Sequence, residues 1–135
     1  MTEQITHKLD VGVETSYIDD QSDPDADRYV FAYTITISNH ADVPVQLLSR
    51  HWIITDADSD VQEVRGEGVV GEQPVIRPQS SFRYTSGATL ATPVGCMEGA
   101  YYMVVRDPIE IDPNDLPVFE VPIAPFSLHT PHALN

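Results

Sequence analysis

The sequence predicts an all-β protein, an antiparallel β-sandwich of about seven to eight strands. Three observations carry that reading. Apolar residues recur at every second position rather than with a helical period. Eleven prolines and seven glycines leave little room for long helices. Turn-forming residues separate the candidate strands at the spacing of a sandwich.

Taken in order, "LDVGVETSY" alternates through Leu9, Val11, Val13, Thr15 and Tyr17. In "RYVFAYTITISN", Tyr29, Phe31, Tyr33, Ile35 and Ile37 share one face, and Val30, Ala32, Thr34, Thr36 and Ser38 the other. β-Branched and aromatic residues suit such a half-buried pleated surface. "VQLLSRHWIIT" is a longer apolar strand, with Trp52 and Ile54 on one face and His51 and Ile53 on the other. His51 reads as a hydrogen-bonded strand residue, and Trp52 as core. "VQEV", "PVI", "SFRYTS", "AYYMVV" and "VFEVPIAPFSL" follow as shorter strands. Pro122 and Pro125 fall inside the last. Proline has no N–H to give to a ladder, so this strand is expected at an edge or bulged. Tyr33, Tyr101 and Tyr102 read as core or half-exposed sheet residues.

A chain of 135 residues suits a single domain, 1–135. Its formal net charge of −14 repels polyanions and anionic lipid, and favours cations and basic protein surfaces. Neither a nucleic acid nor a membrane is therefore expected as a partner. The one cysteine, Cys96, rules out an intramolecular disulfide and reads as a small residue in a turn. The stretch "MTEQITHKLDVGVETSYIDD" lacks a signal-type apolar core, which points to the cytoplasm.

One motif invites an enzymatic reading. Gly66, Gly68 and Gly71 have the G-x-G-x-x-G spacing of a dinucleotide-binding fingerprint. That fingerprint needs a helix after the glycines, whose N-terminus holds the pyrophosphate. Here Pro74 and Pro78 forbid one, and Val75 and Ile76 look like a strand. The glycines are instead expected to supply positive φ, a bulge or close backbone approach. A narrower anion-binding role is still open. Successive amides in such a loop can form a nest, flanked here by Arg65 and Arg77 and opposed by Glu67 and Glu72.

Asp56, Asp58 and Asp60 have the spacing of a calcium loop, with Glu67 at the twelfth position. Val61 occupies the place that needs glycine, so an EF-hand is rejected. A solvated hairpin turn is the simpler expectation, with weak Mg²⁺ or Co²⁺ binding as the alternative. His129 and His132 bracket Pro131 in what reads as a solvated tail. No G-x-S-x-G elbow and no H-E-x-x-H occur, so neither an enzyme nor a bound cofactor is expected.

The ordered string "YVFAYTITISN", "VQLLSRHWIITDA", "EVRGEGVVGEQPVIRP", "FRYTSGATLATPVGCMEGAYYM" and "VPIAPFSLHTPHALN" closely resembles the ApaG (CorD) family. The resemblance covers almost the whole chain, from Val11 to Asn135. It implies a fibronectin type III-like β-sandwich. It also implies a protein-interaction role, like that of related domains in eukaryotic F-box proteins and in a polymerase-delta-interacting protein. Bacterial relatives carry a link to cobalt resistance and magnesium efflux. The family is not an established enzyme family, and its G-x-G-x-x-G segment, matched here by Gly66, Gly68 and Gly71, has invited pyrophosphate or nucleotide proposals. Ser59 and Gln79 stand where the family commonly has glycine.

The functional expectation is thus a non-catalytic binding module. Its partner is a basic protein, or a second copy joined through strand edges. The glycine loop and Arg50, His51 and Trp52 are the candidate contact residues. The alternative is direct binding of a cation at Asp56, Asp58 and Asp60, or of pyrophosphate at the glycine loop with Arg65 and Arg77.

Overall fold

The structure is a computed structural model and describes residues 5–132. Residues 1–4 and 133–135 of the expected domain, and so the last three residues of the family resemblance, lie outside the described residues. The strands are β1 (Leu9–Tyr17), β2 (Tyr29–Asn39), β3 (Val45–Asp56), β4 (Val61–Glu67), β5 (Val75–Ile76), β6 (Ser81–Leu90), β7 (Val94–Val105) and β8 (Phe119–His129). All pair antiparallel. One sheet has the order β1-β2-β6; the other has β4-β3-β7-β8, with β5 beside β3. A β1-β2-β6 sheet facing a β4-β3-β7-β8 sheet, in this connection order, is the fibronectin type III arrangement, to which the short β5 adds a fifth strand in the second sheet.

The alternation in the sequence becomes the core. Phe31, Tyr33, Ile35 and Ile37 of β2 meet Trp52, Met97, Tyr101, Val121 and Leu128 of the second sheet. Burying each large apolar side chain contributes about 1.5–3 kcal/mol. Trp52 is only 1% exposed. The rings of Tyr33, Phe126 and Tyr101 surround it at 5.4, 5.9 and 6.2 Å, at the steep angles that ring quadrupoles favour. Tyr84 of β6 and Tyr101 of β7 hydrogen-bond through their hydroxyls, tying one sheet to the other.

Two bulges set which face each side chain takes. In β3, Leu47 pairs with Met103 and Ser49 with Tyr102, so Leu48 is an extra residue. Val45 and Leu47 point inward before it; Trp52 and Ile54 point inward after it. In β8, Met97 pairs with Phe126 and Gly99 with Ile123, so Ala124 and Pro125 together oppose Glu98. The last strand is therefore both at an edge and bulged, as its prolines predict.

Cys96 corrects one expectation. It lies inside β7 and is half-buried, not in a turn. The turn falls earlier, at 91–93, where Thr92 accepts from the Ala57 N–H and donates to the Val94 carbonyl.

Candidate functional site

Each glycine of the "RGEGVVGE" stretch has a local job. Gly66 pairs with Arg50, and a Cβ there would lie 2.8 Å from the Arg50 guanidinium. Gly68 has φ +63° and comes so close to Glu72 that a Cβ would sit 2.2 Å from its carbonyl oxygen. Gly71 has φ +82° and follows Val70 at φ +44°. Two consecutive positive φ values are the signature of a type I′ turn, closed here by two hydrogen bonds between Val69 and Glu72. Val69 is buried in the core and Val70 is exposed.

No helix follows the glycines, so the dinucleotide reading ends there. The amides of Gly68, Val69 and Glu72 donate to the carbonyls of Leu48, Glu72 and Val69. Among the described residues, neither Arg65 nor Arg77 bonds to this turn. Arg65 lies 3.8 Å from Glu63, and Arg77 begins a separate turn closed by the Ser80 N–H. The cation nearest the glycines is Arg50, which donates to the carbonyls of Glu67 and Gly68 at 3.1 and 2.8 Å.

The proposed contact trio of Arg50, His51 and Trp52 is split by the pleat. Trp52 is core and cannot contribute to a contact surface, because the bulge at Leu48 turns it inward. Arg50 shares that inward parity and is held by the glycine segment. His51 alone faces outward, where its Nε2 lies 2.9 Å from Glu63 Oε1.

The acidic hairpin is a turn built on Asp56. Its Oδ1 accepts from the N–H groups of Asp58 and Asp60 at 2.8 and 3.0 Å. This local bond is the reason aspartate opens such turns. Asp56, Asp58 and Asp60 do not form a shared ligand set: among the described residues no group of three His, Cys, Asp or Glu side chains is placed to hold a metal ion. His129 ends β8, its Nδ1 beside the Thr130 carbonyl at 3.1 Å.

A concavity lies elsewhere, on the outer face of the β4-β3-β7-β8 sheet. It is a shallow groove of about 440 Å³. His51, Ile53 and Arg65 form one side, and Glu98, Tyr102 and Glu120 the other. Ala100, the small residue paired with His51, lies between Glu98 and Tyr102 on this face, while Gly99 pairs with the inward Trp52, where a Cβ would meet the His51 carbonyl oxygen at 2.0 Å. The bulge at Ala124 and Pro125 sits opposite Glu98, and bulges commonly re-aim side chains in this way. Tyr102 donates to Glu120 Oε1 at 3.5 Å. Tyr102 and its cross-strand partner Glu120 offer a ring face and a carboxylate to a cation, with Glu98 further along β7.

The sequence reading includes His51 and Arg65 but omits Glu98 and Glu120, and it takes Tyr102 only as a sheet residue. Alternation along "EGAYY" does place Glu98, Ala100 and Tyr102 on one face. What it lacks is the neighbouring strand that carries Glu120.

Residues 19–105 match the ApaG domain family. The chain belongs to the ApaG family. An ApaG protein of Thiobacillus denitrificans is 53% identical over 135 residues, 100% of both chains. An ApaG protein of Pseudomonas aeruginosa is 54% identical over 91% of this chain and 96% of its own. A crystal structure of a Bordetella pertussis protein named as ApaA superposes with a TM-score of 0.83 at 49% identity, covering 93% of this chain and 95% of its own. The two departures from the ApaG glycine pattern are also explained: Ser59 has φ +68° and Gln79 has φ +61°. Both are left-handed positions at which glycine is the unstrained residue.

Proposed function

We propose that this chain is a non-catalytic binding module that receives a basic segment of a protein partner in the groove on its outer sheet face. The observation that carries the reading is the set Glu98, Tyr102 and Glu120 lining one side of this groove, with the small Ala100 between them. A lysine or arginine side chain laid over Tyr102 meets a ring face and the Glu120 carboxylate, with Glu98 further along β7. His51 and Arg65 on the opposite rim suit an acidic residue nearby in the same segment. The net charge of −14 steers a basic partner to the surface and raises its rate of encounter. In this reading any link to cobalt or magnesium handling runs through the partner.

The test is an amide NMR titration with short peptides rich in lysine and arginine. Shifts are expected at Glu98, Gly99, Ala100 and Tyr102, and the double variant E98Q/E120Q should bind about tenfold more weakly, about 1.4 kcal/mol. Equal affinity for both proteins, with shifts spread over Asp19–Asp27 and Asp56–Asp60, would show nonspecific charge attraction and remove the groove.

A further inference from the structure

β4 is an open edge, and its backbone direction can be read from the bonds at its two ends. The Asp56 N–H donates to the Asp60 carbonyl at 3.0 Å, and the Gly68 N–H donates to the Leu48 carbonyl at 2.8 Å. Between them the register runs without a slip from Thr55↔Val61 to Ser49↔Glu67. Bonded and non-bonded pairs alternate along an antiparallel ladder. Gln62, Val64 and Gly66 therefore bond toward β3. Val61, Glu63, Arg65 and Glu67 turn their N–H and C=O groups outward, where the sheet ends.

Edges that stay single usually carry a guard such as proline, lysine or a bulge. The opposite edge, β8, has Pro122, Pro125 and a bulge, and is approached by the segment before β1, where the Thr6 hydroxyl donates to the Glu120 carbonyl. β4 has no proline, no lysine and no bulge. Val61 and Val64 are 59% and 37% exposed on it.

The sequence of β4 is complementary to itself. Laid antiparallel against a second copy and centred on Val64, "VQEVRGE" sets Val64 against Val64, Glu63 against Arg65, Gln62 against Gly66 and Val61 against Glu67. No like charges face each other, and all seven residues find an opposite. Centring on Glu63 or Arg65 places two identical charges on the axis. Centring on Gly66 leaves Val61, Gln62, Glu63 and Val64 without a strand opposite, and centring on Gln62 likewise strands Val64 to Glu67. Hydrophobic and charge pattern thus select one register, as in any well-specified ladder.

We infer that two copies of this chain associate edge to edge through β4, antiparallel and centred on Val64, as a symmetric dimer. The axis passes through a non-bonded pair, the closer type, so the Val64 side chains touch. Glu63 and Arg65 of each copy form ion pairs with Arg65 and Glu63 of the other. One strand edge is small against a standard interface, so the association is weak and reversible. The −14 charge on each copy opposes it at low salt, but at physiological ionic strength repulsion is screened beyond about 8 Å, while the cross-strand pairs lie within that range. The dimer shares only Arg65 with the groove, so the two readings fail separately.

Sedimentation over a range of concentrations at moderate salt tests the proposal. The wild-type mass is expected to rise from the 15.0 kDa monomer toward twice that value. E63R and R65E should each raise the dissociation constant about tenfold, a change of about 1.4 kcal/mol. The double swap E63R/R65E should restore association, because the opposite charges face each other again. In a C96S background, V64C should form a disulfide-linked dimer on mild oxidation, whereas V61C, facing Glu67, should not. A protein that stays monomeric throughout, a double swap no better than the single ones, or equal crosslinking of V61C and V64C would each overturn it. Peptide binding by E98Q/E120Q against the wild type, both with β4 intact, reports on the groove independently.

Discussion

Ser59 and Gln79 hold positive φ without the freedom of glycine, and each has a different compensation. Ser59 is exposed, and its side chain makes no hydrogen bond. Gln79 reaches the Ala41 carbonyl at 3.4 Å. A non-glycine residue in this region costs about 1–2 kcal/mol. Glycine would recover that but lose about 0.4–1 kcal/mol through the greater freedom of the unfolded chain. S59G is therefore expected to stabilise by about 0.5–1 kcal/mol, and Q79G by less, measured by urea denaturation. A loss of stability in S59G would mean that the turn is not strained. The resemblance noted in the sequence marks both positions, because it implies glycine there. Val70 carries no such sign: a β-branched residue is an unusual occupant of φ +44°, and its Val-Gly turn lacks the common Asn-Gly signature. Asn39 and Arg106 are not legible either. Asn39 is fully buried and binds Ala41, Val43 and Ile76, while Arg106 binds the carbonyls of Ile109 and Ile111. Apart from Ile76 of β5, their partners lie in loops whose paths alternation does not specify.

At the scale of the strands, period-two patterning gives β1 and β2 in full, because neither contains a bulge. It gives β3 in two halves that do not join. Alternation alone cannot reveal that Leu48 shifts the phase, so it does not show that Val45 and Leu47 share the inward face with Trp52 and Ile54. The groove is hidden for a related reason: it draws on four strands, and its rim is aimed by a slip in β8. The prolines of β8, by contrast, announce both its edge position and its bulge. They also make a prediction. Replacing Pro122 and Pro125 with threonine restores two N–H donors to an exposed edge and removes its protection against pairing. Faster aggregation on warming is expected, read by light scattering. Unchanged scattering would mean that the neighbouring Thr6 segment already shields this edge.

Across the whole molecule, the Tyr84–Tyr101 contact links the two sheets through their centre. Burial raises both phenols above their ordinary value of 10.0, and for Tyr101 the neighbouring Tyr84 adds to the shift. The folded state thus holds these protons more tightly than the unfolded chain does. Stability from this source is intact at neutral pH and falls as pH climbs past about 10, where unfolded tyrosine begins to ionise. Y101F alone should cost about 1–3 kcal/mol, because the Tyr84 hydroxyl is left buried without its partner. Y84F/Y101F should cost less than Y101F and flatten the alkaline loss. A double variant as weak as the sum of the two single ones would show that the hydroxyls act independently. Beside this pair lies Arg50, whose guanidinium occupies the space that a side chain at position 66 would need. A side chain at 66 would push aside this flexible end of Arg50 and cost its bonds to the Glu67 and Gly68 carbonyls. The glycine thus marks the route of an arginine rather than the berth of a nucleotide.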